Sequence, residues 1–168
     1  GVFLAMSIMC VVAVVATYLF IAPNLPDVES LRDVQLQVPL RVYSRDGKLI
    51  GLFGEMRRIP VTLGELPEDL KNAFIAGEDA RFYEHPGVDY QGISRAALTL
   101  LTTGEKTVGG STITQQLARN FFLTAEKTYT RKIKEILLAF KIEDELSKNE
   151  ILELYLNEIY LGGGAYGV

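Results

Sequence analysis

Three regimes of apolar patterning follow one another along the chain. Residues 1–22, GVFLAMSIMCVVAVVATYLFIA, are apolar on every face, and no charged residue precedes Asp27. A helix of this length rises about 1.5 Å per residue and spans roughly 30 Å, the thickness of a bilayer's hydrocarbon core. Tyr18 and Phe20 lie towards one end, where an interfacial belt belongs, and Pro23 stops the helix. The pattern predicts a transmembrane anchor over 1–22. A cleaved signal peptide would have a shorter apolar run and a small-x-small site before Pro23; a buried core helix is the other alternative.

Residues 23–38 hold two prolines, mixed charge and no strong period, and are expected to form a linker. Alternation then begins. In RVYSRDGKLIGLF, residues 41–53, Asp46-Gly47 between alternating apolar positions predicts a β-hairpin, and Arg57–Val61 is expected to add a third short strand. From residue 67 the period becomes helical. Pro67, Glu68 and Asp69 suit a helix start, and Leu70, Phe74, Glu78 and Phe82 form an i+4 row that Pro86-Gly87 should end. A second helix carries Ile93, Ala96, Ala97, Leu100 and Leu101, with Gly104 after it. A loop is expected over 104–110. Ser111 is expected to cap a third helix through Ile113, Leu117 and Phe121. Ile133, Ile136, Leu137 and Phe140 mark a fourth. Ser147 and Glu150 form a capping box for a fifth, through Ile151, Leu154, Tyr155 and Ile159. The domain from 39 to 168 is therefore expected to be mostly α, with a small N-terminal hairpin.

Composition sharpens this picture. The chain has 168 residues and a net charge of −4, which argues against nucleic acid as a partner. Its 17 basic and 21 acidic side chains all follow residue 26, so one end is built for lipid and the rest for water. Cys10 is the only cysteine and His85 the only histidine, which excludes the usual zinc sites. The chain is expected to be a fragment, because neither Gly1 nor the Gly162-Gly163-Gly164 run before Val168 resembles a natural terminus.

Four segments could carry chemistry. In EDARFYEHPG, Glu78 shares its row with Leu70, Phe74 and Phe82. A carboxyl on an apolar face has its charged form disfavoured, which suits an acid or base near neutral pH; the alternative is a helix boundary where Glu78 points to water. In GGSTITQQLARN, glycines precede a Ser-capped helix, whose free N–H groups would attract an anion. Thr112, Gln115, Gln116 and Arg119 could add donors; the alternative is an ordinary capped helix. Between Thr103 and Lys134 six basic residues face two acidic ones, a local inversion of charge that suggests a wall for phosphate or pyrophosphate. There the alternative for Arg131 and Glu135 is a surface i,i+4 pair. The last segment, KNEILELYLNE, has core spacing, with Glu153 and Asn157 as buried polar supports.

Taken in this order, EDARFYEHPG, GGSTITQQLARN, RKIKE and KNEILELYLNEIYLGGGAYG resemble the peptidoglycan glycosyltransferases of family 51, the N-terminal domain of class A penicillin-binding proteins. The resemblance covers roughly residues 40–168, and PLRVYSRDGKLIGLFGE is similar to the start of the 1A type. It implies a lysozyme-like fold and an inverting transfer that joins lipid II into β-1,4 glycan strands, releasing undecaprenyl pyrophosphate. Under it Glu78 is the general base and Glu135 the second essential glutamate. Asp79, Phe82, His85, Ser111, Thr112, Gln115, Gln116, Arg119, Lys127, Arg131 and Lys132 are substrate-binding positions. No cofactor is implied with certainty; a divalent cation, Mg or Mn, at the pyrophosphate is the candidate. Expected partners are lipid II, the growing glycan, the cytoplasmic membrane and other cell-wall synthesis proteins, with the catalytic domain on the outer, periplasmic face. The full-length protein would also carry a transpeptidase. The rival readings are a lysozyme-like hydrolase or lytic transglycosylase, and a membrane-anchored interaction module without activity.

Overall fold

The computed structural model describes residues 1–32, 34, 36, 38–54, 58–104, 110–124 and 128–168; the side chains of Val2, Cys10, Ala13, Val14 and Leu52 also lie outside the description. Lys127, Arg57 and most of the expected 104–110 loop fall outside it. The element order is α1 (Val2–Ile21), β1 (Leu40–Tyr43), β2 (Leu49–Phe53), α2 (Glu68–Glu78), α3 (Tyr90–Thr103), α4 (Ile113–Phe122), α5 (Tyr129–Glu145), α6 (Lys148–Glu158), β3 (Tyr160–Gly162) and β4 (Ala165–Tyr166), with short 3-10 turns between. The fold is mostly helical, with two two-stranded sheets.

The apolar N-terminal run forms one helix of 20 residues, α1. Among the described residues no helix is long and apolar enough to cross a membrane, so the anchor expected there remains a proposal. The stretch expected as a linker is more than a tether. Val28 and Leu31 on its turns are buried in the main core, and the Arg32 guanidinium donates to the Glu145 carbonyl.

The hairpin forms where the alternation placed it. β1 and β2 run antiparallel, with Leu40 opposite Phe53 and a bulge between Val42 and Tyr43. Gly47 closes the turn at φ 79°, a conformation that the Asp-Gly pair supplies without a Cβ clash. The expected third strand does not form: among the described residues 58–61 have no strand structure. Instead the segment is stitched to α6. Asn157 Oδ1 accepts from the Val61 N–H at 2.9 Å, and its Nδ2 donates to the Val61 and Glu153 carbonyls. Glu153 accepts from the Leu63 N–H at 2.6 Å. Side chains from a helix thus take the place of a sheet partner.

The core lies where α4, α5 and α6 meet. Ile113 and Leu117 on α4, Leu138 and Ile142 on α5, and Ile151, Leu152 and Leu156 on α6 are all fully buried, as the 3.6-residue apolar spacing requires. The helix starts are chemically specified. Thr128 accepts from the Arg131 N–H at the start of α5, and Ser147 with Glu150 forms the expected capping box on α6. The C-terminal β3–β4 hairpin, which the apolar pattern did not announce, turns through Gly163 and Gly164 and returns the chain to α6, where the Val168 N–H donates to the Leu156 carbonyl. Arg58 reinforces that end, pairing with Glu158 and lying 5.5 Å from the centre of the Tyr166 ring.

Replacing Asn157 by Ala leaves the backbone groups of Val61 without their partners. An unpaired buried group costs about 1–3 kcal/mol, so thermal unfolding should show a loss of that size; an unchanged midpoint contradicts the stitching role. The side-chain and backbone hydrogen bonds of Ser147 hold the Glu150 carboxyl below its ordinary range. The stability it adds is present above its unfolded-state pKa and is lost as pH falls through the lower folded value. A Glu150→Gln variant should therefore show a weaker acid-side decline in melting temperature than the parent.

Candidate active site

The site is built around the point where α2 stops. The i+4 row predicted continuous helix to Pro86, but α2 ends at Glu78, and Asp79 takes φ −158° and ψ 73°. The reason is tertiary. The buried Asp79 carboxylate receives His85 Nε2 at 2.9 Å, and its Oδ2 accepts from the backbone N–H of Ile113 at 3.1 Å. One charge thus ties the loop after α2 to itself and to the first turn of α4. Phe82 sits in a 3-10 turn and is fully buried, edge-on to Tyr83 and His85. It does not share a helical face with Glu78.

Two expectations change as a consequence. Glu78 is exposed, at the end of a helix that buries no residue completely, so the apolar surround argued from spacing is absent. Its carboxylate is positioned by a polar partner instead, accepting from Gln116 Nε2 at 2.9 Å. The N-terminus of α4, expected to be free for a ligand anion, already holds one in Asp79. The cap is Thr112 rather than Ser111. Its hydroxyl accepts from the Gln115 N–H at 3.2 Å and donates to the Gly87 carbonyl at 2.6 Å.

Ser111 is released to face the cation cluster. Lys132 Nζ donates to Ser111 Oγ, Gln115 Oε1 and Glu135 Oε2, each at 3.0 Å. Arg131 Nε lies 3.5 Å from Glu135 Oε1. Glu135 is only 2% exposed, so the surface-pair reading of Arg131 and Glu135 does not hold. A buried carboxylate needs paired charge, and two cations from α5 supply it. Gln115 Nε2 is buried with no partner among the described residues. Arg119 is half-buried on α4. Burial pushes the Tyr155 phenol up to about 12; the Glu78 carboxylate pushes the same way and Arg119 opposes both. Glu78 and Arg119 therefore act on one buried ring from α6.

Lys148 was read from the sequence only as part of a structural helix start. In the structure its Nζ donates to the His85 carbonyl and to Glu143, both at 2.7 Å, and lies 4.5 Å from the centre of the Phe82 ring. Glu143 also accepts from the buried Thr114 hydroxyl. Gly87 permits this close packing: at φ +92°, a Cβ there would meet the Ala139 carbonyl oxygen at 3.0 Å. No local pattern signals contacts between residues 63 positions apart; only the Pro86-Gly87 pair hinted at an unusual backbone.

The structure thus brings together twelve of the thirteen expected site residues, in direct contact or through a shared neighbour: Glu78 with Gln116; Asp79, Phe82 and His85 in the loop after α2, with Thr112 bonded to that loop from the start of α4; Arg119 through Tyr155; and Ser111, Gln115, Arg131, Lys132 and Glu135 in the cation cluster. Lys127 lies outside the described residues. The sequence profile of the family described as Transglycosylase matches residues 46–168, the span that holds every one of these groups. The chain belongs to the transglycosylase family. It is 56% identical to penicillin-binding protein 1A of Escherichia coli (strain K12) over 99% of its length, and 57% identical to penicillin-binding protein 1A of Vibrio cholerae over 98%. The protein of that name from Pseudomonas aeruginosa is 56% identical over 90%. The chain spans about a fifth of the length of these relatives.

For a transglycosylase domain with this site, Asp79 is the structural keystone. Asp79→Asn keeps the shape but removes the charge facing His85 and the α4 N-terminus. The expected loss is about 1–3 kcal/mol of stability by chemical denaturation. A variant as stable as the parent contradicts this role.

Proposed function

We propose that this protein is a peptidoglycan glycosyltransferase that polymerises lipid II into β-1,4 glycan strands. The observation that carries the reading is the pairing of an accessible carboxylate with a part-buried cation cluster built on the buried Glu135. Glu78 and Ser111 line one cleft, and Ser111 is held by Lys132 of the cluster.

Each half suits one end of an inverting transfer. Glu78, oriented by Gln116, takes the proton from the 4-hydroxyl of the acceptor sugar. The oxygen attacks the donor's anomeric carbon, and the bond to the diphosphate breaks on the opposite face. Negative charge then grows on the leaving diphosphate, where Lys132 and Arg131 offer donors. Glu135 accepts from Lys132 and draws Arg131 to its other oxygen, so it positions the groups that receive the charge. A divalent cation fits poorly at this point. The carboxylate is already paired with two cations, which a metal would have to displace.

The 1A-type relatives named above support a wall-synthesis setting. We place the domain on the outer face of the cytoplasmic membrane, with α1 as a single anchor that confines enzyme and lipid-linked substrate to one surface. A hydrolase or lytic transglycosylase also uses a carboxylate, but such a reaction expels no diphosphate and leaves the cation cluster without a task.

In the full-length protein, Glu78→Gln should lower lipid II polymerisation by at least about 100-fold, the usual contribution of a general base. The variant should still bind moenomycin, a phosphoglycolipid that mimics the donor. Glycan output near the parent's level sinks the assignment of the base. Release of small fragments from polymeric peptidoglycan by the parent protein would favour the hydrolase.

A further inference from the structure

A cleft of about 190 Å³ opens between the end of α2, the first half of α3 and residues 110–112. Its wall carries the Glu78 carboxylate and two guanidinium groups, Arg81 and Arg95. The two cations differ in what they already hold. Arg81 is engaged twice, with Nε on Glu84 at 2.8 Å and a terminal nitrogen on Asp89 at 3.1 Å. Arg95 projects from α3, is exposed, and has no side-chain hydrogen bond or ion pair among the described residues. An unpaired guanidinium carries donors only, arranged in a planar fork that matches a phosphate.

Its surroundings narrow the ligand. Ile93, Ala96 and Thr99 share its wall of the cleft. Beyond them α3 presents Leu98, Leu100 and Leu101 to the outside, at 62%, 48% and 84% exposure. Arg95 therefore stands between a polar cleft and an apolar helix surface. A phosphate ester joining a sugar to a lipid tail has the same order of parts.

The transfer proposed above brings two diphosphates to the cleft. One belongs to the donor and leaves; Lys132 and Arg131 on α5 are there to receive it. The other belongs to the incoming acceptor and stays attached. It lies at the far end of a disaccharide from the hydroxyl that Glu78 deprotonates, so its cation must stand apart from both the base and the α5 cluster. Arg95 lines the same cleft from α3, an element that carries neither Glu78 nor the α5 cluster. We infer that Arg95 is a substrate-positioning residue that grips the diphosphate of the acceptor lipid II. This inference rests on the glycosyltransferase reading.

The test uses the full-length protein in phospholipid-free detergent, with a preformed lipid-linked glycan as donor and lipid II varied as acceptor. Arg95→Ala should raise the KM for lipid II by about 10-fold or more, the effect of losing a charge-assisted hydrogen bond. Its kcat should stay within about twofold of the parent's, since the group touches no reacting atom. Arg95→Lys should fall between, keeping the charge but losing the fork. Moenomycin binding should be unchanged in both variants, which also reports that they fold. An unchanged KM overturns the inference. So does an equal loss of moenomycin affinity, which would put Arg95 in the donor site. A KM effect seen only in phospholipid vesicles also overturns it, because the phosphate gripped would then be a bilayer headgroup. Failure of the parent protein to extend the donor at all would overturn the glycosyltransferase reading itself, a result distinct from the other three.

Discussion

The Asp79 carboxylate is the charge around which the site is arranged. It is buried, and a buried carboxylate must be fully partnered. Its partners come from two directions, the His85 ring on its own loop and the Ile113 N–H at the start of α4. Satisfying both stops α2 at Glu78 and folds the next ten residues back over the core. Phe82 is then driven inwards, where Lys148 crosses its ring and binds the His85 carbonyl. The exposed position of Glu78 follows: the helix that carries it ends because its neighbour is needed elsewhere.

The same contact explains how anions are sorted. A helix N-terminus attracts negative charge, and a glycine-led, capped helix beside the proposed base would ordinarily compete for a phosphate. Here the chain's own aspartate fills that position. In the proposed transfer, ligand phosphate is left to side-chain cations. Lys132 is hydrogen-bonded to the buried Glu135 and Arg131 lies 3.5 Å from the same carboxylate, whereas Arg95 is held by nothing among the described residues. Held cations suit a charge that develops during reaction, because a preorganised donor needs no rearrangement as that charge grows. A free one suits a group that merely docks.

What could be read from sequence follows from how local each cause is. The Asp46-Gly47 turn and the Ser147–Glu150 capping box depend on residues within four positions, and both formed where the pattern placed them. The apolar rows of α4 and α6 found the core for the same reason; the row read on α5, Ile133, Ile136, Leu137 and Phe140, did not, because that helix turns Leu138, Ala139 and Ile142 inwards instead. The end of α2 could not be read this way. An i+4 row gives no sign that Asp79 will prefer a backbone N–H 34 residues away to another helical turn. The choice of Thr112 over Ser111 as cap was equally hidden, since either hydroxyl serves locally and the Gly87 carbonyl decides between them. The family motifs named residues that the fold does bring together, but they gave no partner for Glu78.

The central claim is that Asp79 closes the α4 N-terminus, so that in the proposed transfer the donor's diphosphate is received by the α5 cations. The most direct measurement is a crystal structure of the full-length protein bound to a phosphoglycolipid that mimics the donor. The phosphate oxygens should lie within hydrogen-bonding distance of Lys132 or Arg131, with Asp79 still on His85 and on the Ile113 N–H. A phosphate seated on the Ile113 N–H, with Asp79 displaced, would contradict it.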